Sequence, residues 1–144
     1  MIESLTSDQI YSSLTSQQGQ LQAASYGEGY EAVMAFVENQ AANGIRQMGS
    51  GHFRMIGGNI DWTHSNAGIV GAGIDRTIIE SVPTEESRLV TFHNALTFDS
   101  TCENVLFQDL TFVGTVANRS IGHLRNIVFN RVKFTTSQDR DWET

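Results

Sequence analysis

The sequence predicts an all-β coil of parallel strands preceded by one helix, and three observations carry that prediction. First, a nine-residue phrase recurs: Asn104-Val-Leu-Phe-Gln-Asp-Leu-Thr-Phe112 and Asn126-Ile-Val-Phe-Asn-Arg-Val-Lys-Phe134 agree position for position, and Val90-Thr-Phe-His-Asn-Ala-Leu-Thr-Phe98 is a looser copy. Second, each copy places apolar residues two apart, breaks for polar residues, then places two more apolar residues two apart, which reads as strand, corner, strand. Third, superposing the copies gives four columns of like residues: Val90, Val105, Ile127; Phe92, Phe107, Phe129; Leu96, Leu110, Val132; Phe98, Phe112, Phe134. An antiparallel meander also alternates, but it has no reason to repeat one residue type in all four columns. Stacked turns do.

The matched copies begin 22 residues apart, at 104 and 126. The looser copy sits closer, and the difference lies in the connections, Asp99 to Glu103 against Val113 to Arg125; a solenoid accepts such insertions because they project outward. The corners His93-Asn94, Gln108-Asp109 and Asn130-Arg131 use residues suited to tight bends, with Asn and Asp tolerating left-handed backbone angles. Phe107 is expected to be the most buried ring, stacked between Phe92 and Phe129.

At 144 residues the chain is long enough for one domain with a real core, and 13 glycines against one proline suit many tight corners. A net charge of −7 argues against a nucleic-acid partner or an anionic membrane surface. No apolar run approaches membrane-spanning length. Met1-Ile-Glu-Ser lacks the basic start and apolar stretch of a signal peptide, so synthesis in the cytoplasm is expected. Cys102 is the single cysteine and excludes an internal disulfide.

In chain order, residues 1–26 form a Ser/Gln-rich leader. Ser7 is placed to cap a short helix carrying Ile10 and Leu14, so the leader is either a docking arm or an unpacked tail. From Gly27 the pattern turns helical. Tyr30, Val33, Met34, Val37 and Ala41 share a face, Glu28 and Glu31 suit the N-terminal end of the dipole, and Asn43-Gly44 is a stop, giving a helix over about Gly29 to Asn43. An amphipathic helix ahead of every strand is suited to cap the otherwise open first turn. Strands follow at Ile45 to Met48, His52 to Ile56 and Asn59 to Trp62, separated by glycines. Ala67 to Glu80 then reads as strand, glycine corner, strand. Gly71-Ala-Gly73 lacks the third glycine, the helix and the lysine of a phosphate-binding loop. About five turns fit between residue 45 and the end, a coil about 25 Å long at ~4.8 Å per turn.

The order helix, strand, Gly-rich turn, strand, then Ile69-Val-Gly-Ala-Gly-Ile-Asp-Arg-Thr-Ile-Ile79 and the Asn-Val-x-Phe-x-x-Leu-Thr-Phe copies resembles the pectate-lyase-like right-handed parallel β-helix superfamily. The resemblance extends from about Gly27 to Phe134 and is nearest to the branch of phage tailspikes and polysaccharide-acting enzymes. It implies a short three-sided right-handed coil with an N-terminal capping helix and a habit of forming homotrimers. The superfamily holds lyases, hydrolases, epimerases and inert virion parts, so activity has to be argued from residues.

Those residues argue against catalysis. The outward carboxylates Glu80, Asp99, Glu103 and Asp109, with Arg76, Arg131 and Lys133 as basic partners, form no recurring pair in one column. Neither a calcium cluster nor two facing carboxylates can be built from equivalent positions. If the chain were an enzyme, Asp99, Glu103, Asp109 and Arg131 would be the catalytic candidates. His52, His64, His93 and His123 show no zinc-ligand spacing, no nucleophile elbow is present, and no metal or other cofactor is expected.

Two positions in the first strand of the repeat, Leu106 and Val128, are apolar yet face outward. With Ile10, Leu14 and Trp142 they are the candidate interface residues. No cap is visible after Phe134, so the last turn needs charged edge protection from Asp139, Arg140, Asp141 and Glu143, or a docked partner. The expectation is a non-enzymatic structural or adhesive part, a homotrimeric phage virion component attached to capsid (decoration or cement) or tail (fibre or spike). The alternatives are a polysaccharide lyase, hydrolase or epimerase, and a glycan-binding module.

Overall fold

A computed structural model describes residues 20–21, 29–39, 44–82, 84, 94–118 and 123–135. Within the described residues the chain forms a parallel β-solenoid of about three turns with one short helix. Strand β1 (Gln20–Leu21) pairs with β2, and helix α1 spans Gly29–Asn39. The first turn is β2 (Gly44–Met48), β3 (Gly51–Ile56) and β4 (Ile60–Trp62). The second is β5 (Ala67–Val70), β6 (Thr77–Val82) and β7 (Asn94–Phe98). In the third, β8 (Cys102–Val113) runs along two sides through a corner and β9 (Thr115–Asn118) makes the third side; β10 (Leu124–Thr135) begins a fourth. Among the described residues every strand pairing is parallel, and the sheets run β1-β2-β5-β8-β6-β3, with β10 on β8, and β4-β7-β9.

The exact repeat stacks as its columns require: Val105 pairs with Ile127, Phe107 with Phe129, Leu110 with Val132 and Phe112 with Phe134. The rings lie nearly parallel, at 5.4 Å for Phe107–Phe129 and 5.9 Å for Phe112–Phe134, both at 18°. The looser copy does not join these columns. Its second half, β7, pairs with β4 and β9 on the third side, setting Leu96 against Ile60 and Val116, and Phe98 against Trp62. Below β8 lie instead β5 and β6, which put Ala67 under Val105, Ile69 under Phe107 and Ile79 under Phe112. Val90, Phe92 and His93 lie outside the described residues. Giving 90–98 a turn of its own adds one turn to the expected count of about five, where the structure has about three.

Corners are built from left-handed residues. Asn66, Asn104 and Asn126 have φ of 53°, 56° and 54°, and Asp109 and Arg131 have 59° and 53°. This conformation costs an ordinary L-residue roughly 1–2 kcal/mol, and Asn and Asp offset it with a local side-chain hydrogen bond. Here the asparagines form a ladder: Asn104 Nδ2 donates to Asn66 Oδ1 at 3.0 Å, and Asn126 Nδ2 donates to Asn104 Oδ1 at 2.8 Å. A second ladder joins Asn130 Nδ2 to Gln108 Oε1 at 2.8 Å.

Within the described residues the helix runs Gly29–Asn39; Ala41 and Asn43, in the remainder of the expected helix, lie outside them. Val33 and Val37 are buried and Tyr30 and Met34 half-buried, as the expected face requires, and Phe36 is buried as well. Gly29 permits the close approach of its start to β3: a Cβ there would meet the Arg54 carbonyl oxygen at 2.3 Å. At the other end, Arg46 occupies the inward position one turn below Ile69 and is 1% exposed. Its Nε donates to the Val37 carbonyl at 2.8 Å and its Nη1 to the Gly44 carbonyl at 2.6 Å, while the guanidinium lies 5.4 Å from the Trp62 ring centre. The last carbonyls of a helix lack intrahelical donors, and this arginine supplies one. Burial lowers its pKa, against the opposing pull of Glu38.

Thr97 and Thr111, the polar positions of the second strand of the repeat, are buried, Thr97 accepting from Asn59 Nδ2 and Thr111 from the Asp75 amide. The connection from Val113 to Arg125 is not an open loop throughout, because Thr115–Asn118 pairs with β7 as the third side of its turn.

Candidate functional site

The solenoid sets the ionisable side chains in register between turns, which pairs carboxylates with cations. Asp109, at the corner of β8, receives Arg131 Nε at 2.6 Å and Arg131 Nη2 at 3.1 Å from the same corner one turn on. The Arg131 hydrogen bond holds its carboxyl below the usual aspartate range. Glu103 lies 3.5 Å from Arg125, again one turn on, and Asp75 receives Lys133 Nζ at 3.2 Å. Of the catalytic candidates, Asp109 and Arg131 therefore meet, but as an ion pair. Glu103 is engaged elsewhere, and the exposed Asp99 follows β7 on the three-stranded sheet, its amide donating to the Trp62 carbonyl.

A trio that the repeat does not reveal sits on the outer face of β3 and β6. Glu80 is 4% exposed, and its Oε1 lies 2.5 Å from His52 Nε2 and 3.8 Å from Arg54 Nε. Arg54 and Glu80 are direct neighbours in register. The alternation His52-Phe-Arg54 and Ile78-Ile-Glu80 marks them as outward, but only the β3–β6 register brings them together. A buried glutamate in contact with a histidine and an arginine is fixed in place on that face.

Histidine 64 makes a different arrangement. Its Nε2 lies 3.3 Å from Glu38 Oε1 at an angle that makes no hydrogen bond, and its backbone carbonyl accepts from Trp62 Nε1 at 2.8 Å. Among the described residues no group of three or more His, Cys, Asp or Glu is placed to hold a metal, and no helix is long and apolar enough to cross a membrane. Cys102 is buried, which pushes its thiol pKa up.

The candidate interface residues separate. Leu106 is 0% exposed, packed with Ile45 and Val70 in a small cluster on the outer side of the sheet, and Val128 is half-buried against it. Gly68, between Ile45 and Leu106 in this column, keeps it compact: a Cβ there would stand 1.9 Å from the Leu106 carbonyl oxygen. Ile10, Leu14 and Trp142 lie outside the described residues, as do Asp139, Arg140, Asp141 and Glu143.

Among the described residues the most exposed large apolar side chain lies at the far end of the coil. Phe134 is 50% exposed, whereas Phe107 and Phe112 one turn below are 0% exposed, and Ile127, Phe129 and Val132 are half-buried. Beside Phe134 an open groove of about 320 Å³ is lined by Gly114, Thr115, Val116, Phe134 and Thr135. Compared with known proteins, the chain matches no family model, no curated protein and no solved structure.

Proposed function

We propose that the chain is a non-enzymatic structural or adhesive β-helix of the right-handed, pectate-lyase-like kind, a homotrimeric component of a phage virion on the capsid or tail. In this reading α1 closes the first turn and the stacked phenylalanines stiffen a short rod. The observation that carries it is the pairing of charges between turns. Glu103 with Arg125, Asp109 with Arg131 and Asp75 with Lys133 spend their carboxylates on joining turn to turn rather than on facing one another across a cleft. The trimer and the particle rest on the superfamily resemblance. Light scattering on the full chain tests them: a mass three times the 15.9 kDa of one chain is expected, and a monomer across the concentration range would remove the trimer.

One observation favours a second reading, a polysaccharide lyase, hydrolase or epimerase: the buried Glu80 against His52 on an outer face. Incubation with bacterial surface polysaccharides separates the readings. Cleavage or epimerisation that Glu80→Gln abolishes would establish the enzyme, and saturable binding with the glycan unaltered would establish a glycan-binding module.

A further inference from the structure

The first side of the coil has an outer face that is buried although it points away from the core. Ile69 and Phe107 point inward, so the alternation along each strand turns Ile45, Leu106 and Val128 outward. The register sets Ile45, Gly68, Leu106 and Val128 in one column across β2, β5, β8 and β10. Ile45 and Leu106 are 0% exposed, and Val70 and Gln108, paired in the next outward column, are each 9% exposed. Among the described residues the apolar side chains packed with Leu106 are those of Ile45, Val70 and Val128, which stand on the same face. Neighbours on one face screen each other's flanks and leave the tips open, so full burial requires a second layer above them.

Chain connectivity narrows what forms that layer. Residues 83–93 join β6 to β7, on the other two sides, and residues 22–28 lead away to α1, whose start lies against Arg54 of β3. Residues 40–43 and 119–122 are too short to cross the column, and residues 136–144 follow the second half of β10 with Trp142 as their one large apolar residue. Residues 1–19 precede β1, which pairs with Gln47 and Met48 just past Ile45, so this segment reaches the sheet at the Ile45 end of the column. It holds Ile2, Leu5, Ile10 and Leu14, the last two one helical turn apart. Four strands at ~4.8 Å span about 14 Å, which about ten residues of helix cover. We propose that residues 1–19 are the cover: the leader straps across the first side of its own coil, with Ile10 and Leu14 against Leu106 and Val128. These four side chains then satisfy one another within a chain, and contact between copies falls to other surfaces. The strap is the same in a monomer and in a trimer.

The test is methyl NMR on the full chain, with labelled and unlabelled chains mixed in a second sample so that contacts within a chain are separated from contacts between chains. Nuclear Overhauser contacts from the Ile10 and Leu14 methyls to those of Leu106 or Val128 are expected within one chain. The full-chain variant Ile10→Asp with Leu14→Asp should shift the Leu106 and Val128 methyl resonances and leave those of the inward Ile69 and Ile79 in place. It should also raise the fluorescence of anilinonaphthalene sulfonate, a dye that binds uncovered apolar surface, by about threefold or more. Contacts seen only between chains would give the face to a second copy and overturn the proposal. So would the absence of contacts from Ile10 and Leu14, or a double variant with unchanged Leu106 and Val128 resonances. If the double variant does not fold, the contacts in the native chain decide.

Discussion

Replacing Phe107 by alanine tests the register at its centre. The ring is fully buried, stacked on Phe129 and met edge-on by Trp62 at 5.0 Å, Phe112 at 5.8 Å and Phe98 at 6.2 Å. Deleting a buried phenylalanine costs about 3–5 kcal/mol, depending on how far the neighbours collapse into the space. Here the neighbours are rings held by their own strands, and four aromatic contacts are lost together, so the expected cost is about 4–5 kcal/mol. A chain of this length has about 7–20 kcal/mol of stability in all, and the corresponding fall in Tm is about 10–15 °C. Urea unfolding followed by tryptophan fluorescence measures it, with Trp62 in contact with the missing ring. The partner experiment is Phe134→Ala, where half of the ring is already exposed, and about 1–2 kcal/mol is expected. A loss under about 1 kcal/mol at Phe107, or equal losses at the two sites, would refute the stacking.

Asn104→Ala removes both ladder bonds and puts alanine in the left-handed region, for about 2–4 kcal/mol, whereas Asn104→Gly relieves the backbone and should cost about half as much; thermal unfolding compares the two. Arg46→Ala should cost about 3 kcal/mol or more by leaving the Val37 and Gly44 carbonyls and a cavity behind, and Arg46→Met less because it fills the space; far-UV circular dichroism shows whether α1 loosens first. The Asp109 carboxyl should titrate below the ordinary aspartate value of about 3.9 in an NMR titration and return towards it in Arg131→Ala. Because the folded value is depressed, the stability from this pair is present above the unfolded value and is lost as pH falls through the folded one.

The twofold repeat was legible because each column is made of one kind of side chain, and the corner at Gln108-Asp109 because Asp tolerates the bend, whereas at Asn130-Arg131 the left-handed residue is the arginine rather than the asparagine. The turn count was not. Third sides such as Thr115–Asn118 are too short and polar to announce themselves, and Leu96 and Phe98 fit two apolar columns equally well until the chain between the sheets is followed. Arg46 escaped for the opposite reason: an arginine at an inward position breaks the alternation, and only the helix end above it explains the residue. Glu80 was legible as outward but not as paired, since its partners His52 and Arg54 come from the preceding turn, whose register no repeat marks.

The likeness of β8 and β10 has a consequence for how the chain finds its fold. Both strands carry the pattern that β5 and β6 accept, so during folding they compete for one place, and β10 can be captured one turn too early. The outcome is decided by a few side chains: in the position of Thr111, which is 2% exposed and receives the Asp75 amide, the misplaced strand would bury the ammonium of Lys133, and in the fully buried position of Leu106 it would leave Val128 a methylene short. Lys133 is therefore expected to disfavour a slipped chain whose aromatic contacts would otherwise match. Removing its charge should leave the native state nearly as stable while adding a slow refolding phase, the time taken for a slipped strand to let go.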